Sequence, residues 1–205
     1  MSEIYPEGTA IDILEQFAKK TDRDIYKAEK PFDNSILNPV TYHIRRVAIP
    51  DDSKKEIFYI SYGNSREFGK YANFSGVFFP VDLPLNTEIT VRNRDILDKI
   101  NPFLKESDFK SEENAFNSKV VIEENNIFTT KSIFAKKGLL EIIPKIFTKN
   151  QALIFGINGV KIDFTDEFKG KSHMGLYILD DWIINASEIE SLFEQIRRIK
   201  TAINF

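Results

Sequence analysis

The spacing of apolar residues predicts three amphipathic helices, one near each end of the chain and one in the middle. Apolar residues recur every three or four positions in each segment, which is the period of an α-helix. The predicted stripes are Ala10–Ala18, Leu139–Phe147 and Ile189–Ile199. Pro144 lies inside the central stripe and is expected to kink or split that helix, because proline lacks a backbone N–H. Ser187 and Glu190 have the spacing of a capping box at the start of the last helix.

Alternating apolar and polar residues, separated by turn sequences, predict β-strands that pair as hairpins. Before the central helix, strands are predicted at Val40–Ile49, Glu56–Tyr62, Phe74–Phe79, Glu88–Arg92, Lys119–Ile122 and Ile127–Phe134. After it, strands are predicted at Gln151–Ile157, Val160–Phe164 and His173–Leu179. Asn158 and Gly159 suit a type I′ turn between two of these strands, since both residue types tolerate a positive φ.

This order of elements predicts an α+β fold, because helices and strands do not alternate regularly. We expect mainly antiparallel sheet built from hairpins, with the N-terminal, the kinked central and the C-terminal helix packed on it. The length of 205 residues predicts a single domain, residues 1–205. The polar stretch 105–114 is a candidate mobile loop, which would separate an N-terminal half, 1–104, from a C-terminal half, 115–205.

The strand Phe74–Phe79, which reads Phe-Ser-Gly-Val-Phe-Phe, is followed by Asp82, Thr87 and Val91. This order resembles the F-x-G-x-F … D … T-x-V pattern of the bacterial DUF3137 family, and the similarity covers roughly residues 56–164. The family is uncharacterised, so the resemblance implies a bacterial protein but no reaction and no catalytic residues. Many relatives carry hydrophobic N-terminal membrane segments. We expect none here, because the N-terminus begins with acids and a proline.

Composition excludes several classes of function. The chain has 42% hydrophobic residues, a net charge of −3 and no cysteine. It is therefore not a disordered chain, and disulfides, thiolate metal sites and thiol nucleophiles are excluded. The lack of a basic excess argues against a dedicated nucleic-acid-binding protein. Because no apolar run approaches the roughly 18 residues that span a bilayer, we expect a soluble cytoplasmic protein, with association to a membrane surface as an alternative.

Charge is unevenly distributed along the second half of the chain. Six lysines accompany one acid between Lys131 and Lys161, whereas eight acids accompany two lysines between Asp163 and Glu194. The basic segment 131–161 is a candidate contact for an anionic partner, and the alternative is that the two segments neutralise each other. The candidate contact residues are Lys131, Lys136, Lys137, Lys145 and Lys149.

Few residues offer a conventional catalytic or metal site. The two histidines, His43 and His173, lie in separate predicted strands, and neither belongs to a zinc or hydrolase motif. The acids considered as cation ligands are Asp163, Asp166, Glu167, Asp180 and Asp181. They lack the ligand spacing of a calcium loop, and the last two favour an acidic turn before Trp182. We predict no cofactor, no metal and no catalytic residue.

Phenylalanine is unusually frequent, with 18 residues, and most of them fall on predicted helices and strands. Five fall in predicted loops and are candidate interface aromatics: Phe32, Phe68, Phe103, Phe109 and Phe168. Phenylalanine is enriched in the cores of protein interfaces. Exposure of these side chains would indicate an interface, whereas their burial would indicate an aromatic core.

Three functional interpretations follow. The first is a non-catalytic binding or interaction module, which uses a protein partner or self-association. The second is a small-molecule-binding protein or hydrolase with a pocket between the sheet and the C-terminal helix, in which His43 or His173 works with Asp163 or Asp180. The third is a contact with anionic lipid or RNA through the basic segment 131–161.

Overall fold

An antiparallel sheet of eight strands organises the fold. The computed structural model describes residues 7–31, 43–65, 67, 71–95, 98, 107, 109–111 and 114–203. Its helices are α1 (Glu7–Lys20), α2 (Asn114–Lys119), α3 (Ile127–Phe134), α4 (Lys137–Lys149) and α5 (Ala186–Ile203). Its strands are β1 (Tyr26–Pro31), β2 (His43–Pro50), β3 (Phe58–Asn64), β4 (Asn73–Val81), β5 (Ile89–Asn93), β6 (Val120–Glu124), β7 (Ile154–Ile157) and β8 (Ser172–Leu179).

The strand order is β1-β2-β3-β4-β8-β7-β5-β6, and all neighbouring strands are antiparallel. The predicted α+β class, with helices at both ends of the chain and in its middle, is confirmed. β1 lies outside all of the strands predicted from the sequence. α4 continues through Pro144 as one helix, so the predicted split does not occur.

Residues 127–134 form helix α3, so the strand predicted there is wrong. The side chain of Asn126 accepts a hydrogen bond from the backbone N–H of Thr129 at 3.1 Å and caps the helix. Ile133 and Phe134 are buried, as a helix packed on the core requires. The β-branched composition favoured a strand, but the cap and the tertiary packing outweigh that local preference.

The hairpin predicted around Asn158 and Gly159 is also wrong. Asn158 has a positive φ of 49°, but Gly159 does not adopt a positive φ and residues 160–164 form no strand. β7 pairs with β8 instead, and residues 158–171 run across the sheet between them. Gly159 has a different role, because a Cβ atom there would lie 2.3 Å from the hydroxyl oxygen of Tyr177.

The start of α5 differs from its predicted capping box. The side chain of Asn185 accepts hydrogen bonds from the backbone N–H groups of Ser187 at 2.9 Å and Glu188 at 3.3 Å, so Asn185 is the N-cap. Glu190 does not return to the helix start. It binds the guanidinium of Arg23, which makes a long-range ion pair in place of a local one.

One face of the sheet, which we call the helix face, packs against helices. Its strands contribute buried side chains that include Val47, Tyr59, Val77, Phe155 and Leu176. The helices contribute Leu14 and Phe17 from α1, Leu139, Ile143 and Phe147 from α4, and Ile189, Phe193 and Ile196 from α5. Full burial of each such side chain stabilises the fold by roughly 1.5 to 3 kcal/mol. The buried helix stripes predicted from the sequence are confirmed.

The opposite face, which we call the loop face, is covered in part by residues 158–171. Phe58, Phe74, Phe78 and Tyr177 of the sheet pack there with Val160, Ile162 and Phe168 of this segment. The rings of Phe78 and Tyr177 stack with their centroids 5.6 Å apart. Each ring lies opposite a glycine of the paired strand, since Phe78 pairs with Gly175 and Tyr177 pairs with Gly76.

Two of the candidate interface aromatics are core residues. Phe168 is 1% exposed and packs edge-on against Phe58 at 5.5 Å, because residues 158–171 turn it into the loop face. Phe109 is 8% exposed and packs on Phe134 at 5.5 Å. Phe32, Phe68 and Phe103 lie outside the described residues, as does half of the predicted mobile loop 105–114.

A buried ion cluster ties α5 to the turn after β2. Asp51 has a side chain that is 5% exposed, and it accepts hydrogen bonds from Arg197 at 2.6 and 2.7 Å and from Arg23 at 3.2 Å. Arg23 also binds Glu190, and its guanidinium lies over the ring of Phe193 at 4.9 Å. Two arginines and two acids therefore balance in one network that joins three parts of the chain.

The close contact at Gly76 makes a strong prediction about stability. A Cβ atom at this position would lie 2.2 Å from the carbonyl oxygen of Leu176, which belongs to the backbone and cannot move aside. We expect Gly76→Ala to lower the free energy of unfolding by about 3 kcal/mol, measured by urea denaturation. Gly63→Ala is the matched control, because the nearest atom to a Cβ there is 3.5 Å away. Equal stability of the two variants would contradict this account.

The ion cluster predicts a large effect at Asp51. Asp51→Ala leaves the arginine Arg23, which is 11% exposed, with one of its two acidic partners. We expect a loss of about 3 kcal/mol in the free energy of unfolding. Glu194→Ala removes the exposed pair with Arg198 and should cost less than about 0.5 kcal/mol. Losses of similar size in the two variants would show that the ion cluster contributes no more to the free energy of unfolding than an exposed ion pair.

Candidate ligand-binding site

A cavity of about 580 Å³ opens on the loop face. Its walls come from β2 and β3, from residues 158–171 and from the connection between β4 and β5. The residues that line it include Arg46, Tyr62, Leu85, Ile162, Phe168 and His173. A volume of this size is typical of sites that hold small organic molecules.

Asn158 fixes one end of the segment that walls the cavity. Its side-chain amide donates to the carbonyl oxygen of Thr87 at 2.8 Å and to the hydroxyl of Ser172 at 3.0 Å. Its side-chain oxygen accepts from the backbone N–H of His173 at 3.0 Å. The side chain of Asn158 therefore joins three chain segments, which explains why asparagine stands there although no hairpin forms.

Arg46 projects into this cavity from β2. It is the register partner of Tyr62 on β3, and its guanidinium carbon lies 5.8 Å from the Tyr62 ring centre and 5.2 Å from that of Phe164. Its Nε is buried and has no hydrogen-bond acceptor. Arg46 makes no ion pair with any residue that the structure describes. Guanidinium groups that are partly buried normally have an oxygen partner.

Among the described residues, the formal charges around the cavity balance. Three cations, Arg46, Lys161 and Lys171, line it together with three carboxylates, those of Glu67, Glu88 and Asp163. Lys161 and Asp163 pair with each other at 3.0 Å. Pairing across the boundary between the basic and the acidic segment agrees with the interpretation that the two segments neutralise each other.

His173 forms part of the cavity wall but is 5% exposed. Its Nε2 lies 2.8 Å from the carbonyl oxygen of Val160. Since a carbonyl only accepts, we assign the proton of the neutral ring to Nε2. Nδ1 is buried without a partner. Burial lowers the pKa of His173 to about 4, while the bond to Val160 opposes this shift. The ring is therefore neutral at pH 7, and its pKa is far from that of an efficient general base.

Of the histidines and acids singled out in the sequence, His173 and Asp163 line the same cavity, whereas Asp180 does not line it. The backbone of His43, at the start of β2, is separated from β8 by β3 and β4. Its side chain lies outside the described residues. Trp182 is 9% exposed and Asp180 has a positive φ of 65°, as in an acidic turn before a buried ring. Within the described part of the chain, no group of three potential ligands could hold a metal ion.

The candidate lysines are spread over α3, α4 and the connection between them. Lys145 pairs with Glu141 at 3.6 Å, and Lys136 donates a hydrogen bond to the carbonyl oxygen of Ile203. Lys131 and Lys149 are exposed. The side chain of Lys137 lies outside the described residues. Of these lysines, only Lys145 and Lys149 have the four-residue spacing that places two side chains on one helix face.

Two features of the surface are not predicted by the sequence pattern. Arg46 looked like one polar residue in a β-strand, and nothing local indicated that Phe164 would approach it from the connection between β7 and β8. Phe128 belongs to the predicted strand 127–134, but it lies on α3 and its side chain is 81% exposed. The sequence predicts a pocket between the sheet and the C-terminal helix. The cavity lies instead on the loop face, whereas that helix packs on the helix face.

No protein family matches the chain, and no curated protein or solved structure matches it significantly. The resemblance to DUF3137 stays a prediction. Among the described residues, no helix is both long enough and apolar enough to cross a membrane.

The buried ring of His173 predicts how stability depends on pH. Its pKa is lower in the folded chain, about 4, than the ordinary value of 6.5, so the unfolded chain binds a proton first as the pH falls. Full stability is present above pH 6.5, and we expect a loss of about 3 kcal/mol as the pH falls from 6.5 to 4. Urea denaturation from about pH 8 to about pH 5 measures most of this range before carboxylates dominate.

A pair of histidine variants separates this effect from other titrations. His173→Gln should flatten the decline in unfolding free energy, whereas His43→Gln, at the only other histidine in the chain, should leave it unchanged. An unchanged slope in His173→Gln would contradict the assignment.

Proposed function

We propose that this protein is a non-catalytic binding module and that its ligand occupies the cavity on the loop face. The observation that carries the proposal is the guanidinium of Arg46, which has no ion pair with a described residue and lines a cavity of about 580 Å³ with apolar walls. Ligand sites commonly combine apolar walls with a few polar groups that orient the ligand. The bacterial origin and the cytoplasmic location of the protein remain predictions from the sequence.

The mixed lining of the cavity supports a role in binding. Ile162 and Phe168 are buried and form a firm apolar wall, whereas Leu85 is 62% exposed at its edge. An exposed leucine beside a concave surface can cover an apolar ligand and gain burial on binding. The low pKa of His173 favours binding over proton transfer, because a neutral ring with a buried Nδ1 is a poor base at pH 7.

A contact with anionic lipid or RNA through the basic segment has weaker support. Lys136, Lys145 and Lys161 already have partners, which leaves few cations for a long polyanion. Self-association is a further proposal, and exposed Phe128 on α3 is the side chain that would support it.

Neutral small molecules provide the direct test of the binding site. Indole, benzamide and octanamide would be titrated into the ¹⁵N-labelled chain while backbone amide shifts are followed by NMR. We expect the shifts to cluster at Tyr62 and at residues 160–171. Leu85→Asp should weaken octanamide binding about fivefold, because it removes apolar cover. Phe128→Asp is the matched control, since Phe128 is exposed but does not line the cavity.

Two results would overturn the proposed function. One is that none of the three compounds perturbs the cavity. The other is that their shifts cluster around Phe128 or around the lysines of α4.

A further inference from the structure

We infer that the ligand of this cavity is a small monocarboxylic acid with an apolar body, and that Arg46 binds its carboxylate. This inference rests on the proposed function, because it names the chemical class of ligand for the same site. It follows from the donor groups of Arg46, from the balance of charge and from the apolar walls.

The surroundings of Arg46 restrict what it can bind. The ring centres of Tyr62 and Phe164 lie 5.8 and 5.2 Å from the guanidinium carbon, and no described residue forms an ion pair with the guanidinium. Guanidinium donors point outward in that plane, and two of them match the two oxygens of a carboxylate. Nε is buried and has no acceptor, so no described residue supplies an oxygen to that side of the guanidinium. A carboxylate in the cavity would bind through the two terminal Nη groups.

The described carboxylates around the cavity disfavour a second negative charge on the ligand. Lys161 is already paired with Asp163, and the carboxylates of Glu67 and Glu88 also line the cavity. A dianion such as a phosphate monoester would face these carboxylates with only Arg46 and Lys171 as further cations. A monocarboxylate needs one counterion, which Arg46 provides.

A second cavity shows by contrast why Arg46 stands out. A space of about 430 Å³ lies beside Asp51 and also contains cations. There Arg197 is paired with Asp51, and Lys200 is paired with Glu56. The guanidinium of that cavity therefore already has a counterion, and its remaining cation, Lys54, is a lysine without the planar fork of arginine.

Apolar side chains along the same cavity account for the body of the ligand. Ile44, Val160, Ile162 and Leu85 line it together with the ring of Phe168. Each methylene group that they cover on binding contributes about 0.8 kcal/mol in apolar transfer, which converts to roughly fourfold in affinity. Affinity for a series of straight-chain acids should therefore rise with chain length until the cavity is full.

Three eight-carbon probes test the inference by titration calorimetry with the full chain. Octanoate carries one negative charge, octanamide is its neutral counterpart, and octyl phosphate carries a second charge. We expect octanoate to bind at least about tenfold more tightly than octanamide, because it adds charge-assisted hydrogen bonds to Arg46. Octyl phosphate should bind no more tightly than octanoate.

Substitutions of two adjacent arginines locate the effect. Arg46→Gln should abolish the preference for octanoate over octanamide. Arg45→Gln is the matched control, because Arg45 has the same charge on the next residue but lies over Trp182 in the core of the helix face. Arg46→Lys keeps the charge and the aliphatic stem, and it should lose most of the preference because lysine lacks the planar fork. It serves as the test if Arg46→Gln does not fold.

The outcomes separate the two proposals. Equal affinities for octanoate and octanamide in the wild-type chain, or an octanoate preference that survives both Arg46 substitutions, would overturn the assignment of the acid and leave the cavity as a binding site. Tighter binding of octyl phosphate than of octanoate would overturn the monocarboxylate assignment. Absence of shifts from the neutral probes would count against the proposed function itself.

Discussion

The loop face depends on two aromatic rings that each lie across a glycine of the neighbouring strand. Phe78 covers Gly175, and Tyr177 covers Gly76 between β4 and β8. A Cβ atom at either glycine would come within 2.2 Å of another atom, so no other residue fits without rearrangement. The ring of Tyr177 also lies close to Gly156 and Gly159, which lets residues 158–171 descend onto the sheet. Without this close approach, the apolar residues of the loop face would remain in contact with water.

The position of the segment 158–171 then determines the cavity. Asn158 anchors its start, and the bond from His173 to Val160 holds its path against β8. Phe164 is carried to within 5.2 Å of the Arg46 guanidinium. The cavity is thus the space left where an irregular segment covers a sheet incompletely. The buried ion cluster around Asp51 lies among α1, β2 and α5, and it stabilises the fold with no direct part in this site.

The sequence predicts the framework of the fold better than it predicts the site. Helices with long apolar stripes, such as α1, α4 and α5, and strands with clear alternation are found because each pattern reports the face that is buried. Residues 127–134 show the limit of this reasoning, since one side-chain cap reverses a local preference for strand. Asn158 and Gly159 have the residue types of a type I′ turn. The close contact between Gly159 and Tyr177, which lies further along the chain, determines the path of the backbone instead. The surroundings of the Arg46 guanidinium include the ring of Phe164. No local pattern predicts a contact between residues so far apart in the sequence.

The side chain of Arg46 can be observed directly by ¹H–¹⁵N NMR, with Arg46→Lys used to assign its Nε–H resonance. If an acid occupies the cavity as inferred, added octanoate should shift this resonance in a saturable way, because the Nη groups of the same guanidinium then donate to a carboxylate. An Nε–H resonance that stays in place while the backbone amides of residues 160–171 respond to octanoate would contradict the account.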